Sequence, residues 1–424
     1  MDSTSNNAVL RTKAEKGAIS NSGCRLNVLA RISPPRIESI QRRQPVAIAL
    51  VIDRSGSMAG PKLKAAKNAA QQLVRMLAPS DRVSVVSFDQ EVRIDVPLTT
   101  PNESVINRID AIIHGGLTAL FDGWQKGMNQ LLNSDELSDF HKRVVLLTDG
   151  MANRGLTHHS DVIPVVEKAC KKGITTSCIG LGEDYEERLI TAMAEAGTGN
   201  LVHLTEPKQL EAVFLAEVEG MSLTVGRDLR IRVLPSNGVK VRCIHNPIKA
   251  QEDGSFLLGN LQAGAEPVLA IELEVAKTSK TSPQEKDLLR VSAAWRNQEG
   301  EDQHLEDVLK LPIVEDAKWQ ELSLDPDVKN EVLLQRSARQ RQDAMYDLDI
   351  GDPQATFASI QKSLRFLQDA EPTPVIENEK KLLNELLELI SKKKFSLSRK
   401  VMSAQSFMRA RSRKIRDLDG NEDV

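Results

Sequence analysis

The sequence predicts an α/β domain set within a small antiparallel β domain and followed by a helical region, and three observations predict it. Between about residues 46 and 220, short apolar runs alternate with segments of helical period, the pattern of a mainly parallel sheet with helices on both faces. Between about 223 and 315 the period falls to two, as in Leu229, Ile231 and Val233 alternating with Arg230 and Arg232, the mark of strands buried on one face. From about 317 the period is helical again.

The α/β stretch opens on 46–52, VAIALVI, a strand buried on both faces. It runs into Asp53-Arg54-Ser55-Gly56-Ser57. Helix 61–77 follows, with Leu63, Ala66, Ala70, Leu73, Val74 and Leu77 on one face. Strands are expected at 82–88, 92–96 (an edge), 142–148, 174–181 and 200–204. Helices are expected at 103–112, 119–133, 160–171, 185–196 and 207–219. Leu26, Val28, Ala30 and Ile32 share the half-buried pattern of the later β region, so the strand at 24–43 is assigned to that domain. The expected division is a flexible tail at 1–23, the β-domain strand at 24–43, the α/β domain at 44–220, a β-sandwich at 221–315, helices at 316–416 and a tail at 417–424. Helices at 326–348, 353–369, 373–391 and 395–414 are separated by Gly351-Asp352-Pro353 and Glu371-Pro372.

The 424 residues suffice for a large core, 40% are hydrophobic, and a net charge of -3 gives no steer toward nucleic acid or membrane. No run of about 18 apolar residues occurs, and residues 1–23 hold no signal-peptide core. A cytoplasmic protein is therefore expected. Cys24, Cys170, Cys178 and Cys243 are far apart and read as buried free thiols. Without CxxC or CxxH spacing, a zinc site is not expected. The stretch 391–416 carries ten Lys and Arg and no acidic residue. A solvated helix face is the favoured reading, contact with an acidic partner the alternative. With only Phe395 and Phe407 interleaved, single-strand binding is disfavoured.

Three loops at predicted strand or helix ends carry oxygen donors: Asp53, Ser55 and Ser57 in the first, Thr118 in the second, Asp149 in the third. Hard divalent cations prefer oxygen ligands. Three hydroxyls and two carboxylates, part of whose charge acts through water, leave one coordination position open and the ion undercompensated, so a carboxylate from outside can complete it. Blander readings exist for each piece. Asp and Ser suit a helix N-cap, Asp149-Gly150 suits a turn, and Gly115-Gly116 suits a hinge. His158-His159 reads as an exposed loop pair.

Taken together, Asp53-x-Ser55-x-Ser57, then Thr118 in GGLTAL, then Asp149 in LLTDG, resemble the metal-ion-dependent adhesion site (MIDAS) of von Willebrand factor A domains. The likeness extends to VSVVSF and CIGLGEDYEERLITAMAEAGTGNLVHL and covers about 46–220. It implies a Rossmann-like domain, of the bacterial intracellular type in its layout. It also implies a non-enzymatic module whose divalent cation, magnesium first with calcium or manganese as alternatives, binds an Asp or Glu of a protein partner. A scaffold subunit of an ATPase or kinase/phosphatase complex is the alternative. A metal-dependent hydrolase is disfavoured, since the chain has no GxSxG, P-loop or HExxH.

Overall fold

The computed structural model describes residues 7–35, 44–278 and 284–411. They divide into two units, one within 41–224 and the other within 1–40 and 225–415.

The second unit begins with β1 (Val9–Ala14), β2 (Ile19–Ser20) and β3 (Cys24–Ser33). The expected flexible tail at 1–23 is corrected here for residues 7–23, its first six residues lying outside the described ones. β1 pairs antiparallel with β3, Val9 opposite Ser33 through Ala14 opposite Val28. Ala8, Leu10 and Ile19 enter the core. The edge of β1 is also capped: Thr12 donates through its backbone N and its Oγ1 to Asp307 Oδ2, both at 2.6 Å. Polar composition hid this strand, because it is held by ladder bonds more than by apolar side chains.

The α/β unit follows: β4 (Val46–Asp53), α1 (Pro61–Met76), β5 (Arg82–Phe88), β6 (Val92–Thr99), α2 (Glu103–Asp110), α3 (Leu120–Leu132), β7 (His141–Thr148), α4 (His159–Lys171), β8 (Ile174–Leu181), α5 (Glu187–Ala196), β9 (Thr198–Leu204) and α6 (Leu210–Ser222). The sheet order is β6-β5-β4-β7-β8-β9. Only the β5–β6 pair is antiparallel, with β6 at the edge. Every residue of β4 is buried, which explains its unbroken apolar run. From β4 the chain moves out to β5 and β6, then returns to β7 on the other side. The reversal lies between β4 and β7, so their carboxyl ends flank the crevice where open α/β sheets bind ligands.

The remaining strands are β10 (Thr224–Pro235), β11 (Val239–Ile244), β12 (Phe256–Gln262), β13 (Val268–Val275), β14 (Glu285–Asn297) and β15 (Asp302–Val314). They complete a four-stranded sheet, β1-β3-β13-β11, and a five-stranded one, β12-β10-β14-β15-β2. Leu26, Val28, Ile271 and Leu273 of the first share one apolar core with Leu229, Ile231, Leu289 and Val291 of the second. The period of two that runs through Val239 and Val241 breaks at Cys243, expected above to be buried. Arg242 is extra in the register between Val241 opposite Leu273 and Cys243 opposite Glu272. Such a bulge shifts parity by one residue. Ile244 is buried in place of Cys243, which is half-buried, as are Cys24 and Cys170; Cys178 alone of the four thiols is fully buried.

The helices are α7 (Asp316–Glu321), α8 (Pro326–Asp349), α9 (Pro353–Gln368), α10 (Pro374–Ser391) and α11 (Phe395–Ala410). α8, α9 and α10 start alike, with Pro in the first turn and the side chain of Asp325, Asp352 or Thr373 accepting the backbone N–H three residues on. In the basic stretch, Lys400 is buried and Arg399 makes two bonds to Asp349, at 2.7 and 3.1 Å. α11 is therefore not a uniformly solvated face. The expected tail at 417–424 and the end of the basic stretch lie outside the described residues.

Candidate metal centre

β4 delivers Asp53 at its carboxyl end, fully buried. Asp53 Oδ1 accepts the backbone N–H of Ser55 at 2.8 Å, and Oδ2 accepts the hydroxyl of Thr148, the last residue of β7, at 2.6 Å. Burial pushes the Asp53 carboxyl up to about 6, against the hydrogen bonds from Thr148 and Ser55, and the nearby Asp149 adds to the rise. The helix-cap reading fails here. α1 is preceded by Gly60 with no side-chain cap, and Ser55 caps nothing through its hydroxyl.

The other donors converge on the same place. Ser55 Oγ and Ser57 Oγ are 3.1 Å apart, and Ser57 Oγ donates to Asp149 Oδ1 at 2.6 Å. Gly150 locates the centre. A Cβ built there would lie 3.3 Å from Thr118 Oγ1, 3.4 Å from Ser57 Oγ and 3.9 Å from Asp53 Oδ2. A side chain at 150 would crowd these three oxygens, so the glycine leaves room beside them. All-oxygen donors with two buried carboxylates fit a hard divalent cation. The counter-charge the protein itself supplies is Lys62, whose Nζ lies 2.5 Å from Asp149 Oδ2.

A scaffold that sequence reasoning missed holds the loops in place. Arg54, inside the first motif, pairs with Asp89 just past β5 at 2.9 Å, with both side chains 5% exposed. Asp89 Oδ2 accepts Gly116 N–H at 3.2 Å, and Gly56 N–H donates to Gly116 O at 3.0 Å. Gly115 is required by this closeness: a Cβ there would sit 1.6 Å from Asp89 Oδ2. Asn153 Oδ1 accepts Thr118 N–H at 2.8 Å, tying the second loop to the third. Arg54 and Asp89 stand in view in the sequence, but only strand order reveals them as partners. His158 precedes α4 and lines a polar cleft with His159, Glu186 and Arg188.

Exposed large apolar side chains gather on these loops. Ile113 (67% exposed) and Leu117 (50%) precede Thr118, while Met151 (51%) and Leu156 (43%) follow Asp149.

Residues 47–216 match the family model of the von Willebrand factor type A domain. The chain carries a type A domain. The uncharacterized protein sll0103 of Synechocystis is 26% identical over 340 residues, 76% of this chain and 79% of that one. YfbK of Escherichia coli, also uncharacterized, is 26% identical over 190 residues, 44% of this chain; the match spans only 33% of that relative. Among solved structures, a von Willebrand factor type A protein from Catenulispora acidiphila superposes with a TM-score of 0.69 at 16% identity, covering 96% of this chain and 98% of that one. This likeness supports the fold of the type A domain and of the β and helical elements around it. Among the described residues, no helix is long and apolar enough to cross a membrane.

Proposed function

We propose that the type A domain is a non-enzymatic binding module. Asp53, Ser55, Ser57, Thr118 and Asp149 hold a divalent cation, magnesium first and calcium or manganese as alternatives. A partner protein presents an Asp or Glu to it. The observation that carries this reading is the convergence of oxygens from three loops on the space left by Gly150. The apolar rim of Ile113, Leu117, Met151 and Leu156 supports a protein rather than a small polar ligand. We read the two sheets of the β domain as one sandwich into which the type A domain is inserted, since β3 pairs with β13 across the intervening sequence.

The test is affinity capture from the native extract with and without magnesium, using the wild type and Asp53→Ala with Ser55→Ala. Partners that need magnesium and are lost with the double variant are expected. The same partner set under all conditions would overturn the reading.

Lys62 gives a second expected outcome. Its ammonium neutralises part of Asp149, the charge an incoming cation would otherwise neutralise. Lys62→Gln is expected to tighten magnesium binding several-fold in a calorimetric titration. Unchanged or weaker binding would mean that Lys62 does not compete with the ion.

A further inference from the structure

Outside the type A domain, the bulge in β11 brings three metal-binding side chains together. Cys243 stands directly opposite Glu272 of β13, and His245 lies two residues beyond Cys243. Cys243 Sγ is 3.5 Å from His245 Nδ1 and 3.6 Å from Glu272 Oε2. One donor atom from each of the three lies within 4.8 Å of the others. We propose that Cys243, His245 and Glu272 form a three-ligand site for a divalent transition metal of the zinc class, its fourth position open to water or a small anion.

Two of the three donor spacings are those of a tetrahedral site. Zinc bonds of about 2.3 Å to sulfur and about 2.0–2.1 Å to nitrogen or oxygen, at tetrahedral angles, set S···N and S···O edges at roughly 3.5–3.6 Å. Both Cys243 edges have this length before any ion is placed, whereas His245 and Glu272 stand farther apart, 4.0 Å between Nε2 and Oε2, and must draw together around an ion.

The imidazole is also oriented for the task. Glu15 accepts from the Asn27 backbone N–H at 2.9 Å and from Asn27 Nδ2 at 2.6 Å. That fixes Asn27 with its Oδ1 turned to His245 Nε2, 2.9 Å away. A carbonyl oxygen can only accept, so Nε2 carries the proton and Nδ1 turns its lone pair toward Cys243. A carboxylate–amide–imidazole relay of this kind is the outer support that metal-bound histidines usually have. Burial, helped by Arg336 and Arg339, holds His245 neutral, down to about 3. His245 is buried while Cys243 and Glu272 are half-buried, so the donors are reachable from solvent.

Two cations face the cluster from α8. Arg336 lies 3.9 Å from Glu272 Oε2, and Arg339 bonds the carbonyls of Ile244 and Asn246 at 2.7 and 3.2 Å. They oppose a bare cation and favour an anion in the fourth position. Burial and Glu272 raise the Cys243 thiol. Binding therefore expels its proton to solvent as the S–metal bond forms, which makes affinity rise with pH. The sequence showed none of this, because Glu272 comes from another strand and the ligand spacing is not that of a zinc knuckle or ribbon.

The experiment is titration of the metal-free full chain with Co2+, followed by its displacement with Zn2+. Expected are thiolate-to-cobalt charge-transfer absorption, intense visible bands of tetrahedral cobalt, and release of about one proton per ion. The same spectrum is expected with Asp53→Ala, since an all-oxygen site gives no thiolate band. Cys243→Ser is expected to abolish the charge transfer. Glu272→Gln is expected to weaken zinc binding by more than the roughly 10–100-fold that loss of an outer partner costs. Absence of the band in the wild type, or its persistence in Cys243→Ser, would overturn the proposal. Should Cys243→Ser not fold, alkylation of the wild type decides. Zinc must slow modification of Cys243 by at least tenfold, and an unchanged rate would equally overturn it.

Discussion

Asp53→Asn is expected to stabilise the metal-free protein above pH 6 and to erase its response to magnesium. The Asp53 carboxyl is fully buried, and burial raises it from 3.8 to about 6. A raised carboxyl favours the protonated folded state. The folded chain then binds more protons than the unfolded chain between about pH 4 and pH 6, and stability from this group falls as pH rises through that window. Above it the loss is complete, on the order of 2–3 kcal/mol for a shift of about two units. A carboxamide never ionises and so avoids that loss. It also fits the hydrogen bonds. Its oxygen can accept from Ser55 N–H, and its NH2 can donate to Thr148 Oγ1, whose proton can turn to Gly150 O, 3.4 Å away. Thermal unfolding in chelator at pH 7.5 is expected to show the variant melting above the wild type, with the gap closing below pH 5. Added magnesium is expected to raise the melting temperature of the wild type alone, since a ligand stabilises only the state that binds it. A variant that melts below the wild type at pH 7.5 would show that burial of the Asp53 carboxylate carries no such cost, and one that still responds to magnesium would show that Asp53 is not a required ligand.

The same residues show what a sequence can and cannot disclose. Asp53, Ser55, Ser57, Thr118 and Asp149 are legible as a group because strand and helix ends deliver them, and these ends follow from apolar periodicity and turn residues. Buried strands such as β4 and the capped helices α8 to α10 are legible for the same local reasons. Features that depend on lateral pairing are not. Arg54 reads as a spacer until β5 lies beside β4 and brings Asp89 to it. β1 reads as tail because its stability comes from the ladder with β3 and from Asp307, nearly three hundred residues away. Cys243 reads as core because a strict period of two ignores the bulge at Arg242. Each of these depends on register, and register is a property of two strands.

Glu217→Ala is expected to cost the α/β unit about 3–5 kcal/mol, the amount typical of leaving one member of a buried ion pair alone. Glu217, on α6, is 3% exposed at its side chain and Arg143, on β7, is 2% exposed; Arg143 Nη1 lies 2.7 Å from Glu217 Oε2. The carboxylate is saturated. It also accepts from Ser177 Oγ on β8 at 2.7 Å and from Asn200 Nδ2 on β9 at 2.6 Å. One side chain thus fastens α6 to three adjacent strands. Truncation strands the guanidinium, whose other described bond is a single one from Nε to Thr175 Oγ1 at 3.0 Å, and takes one acceptor each from Ser177 and Asn200. Hydrogen exchange at the central amides of β4 and β7, which requires opening of the whole unit, measures the loss directly. Glu217→Leu combined with Arg143→Met is expected to recover most of it, because the desolvated charge is then gone from both sides. A cost near the ~0.5 kcal/mol of a surface substitution would mean that water reaches Arg143. It would also mean that α6 is held by its apolar side chains, Leu210, Val213, Phe214 and Val218, and not by this carboxylate.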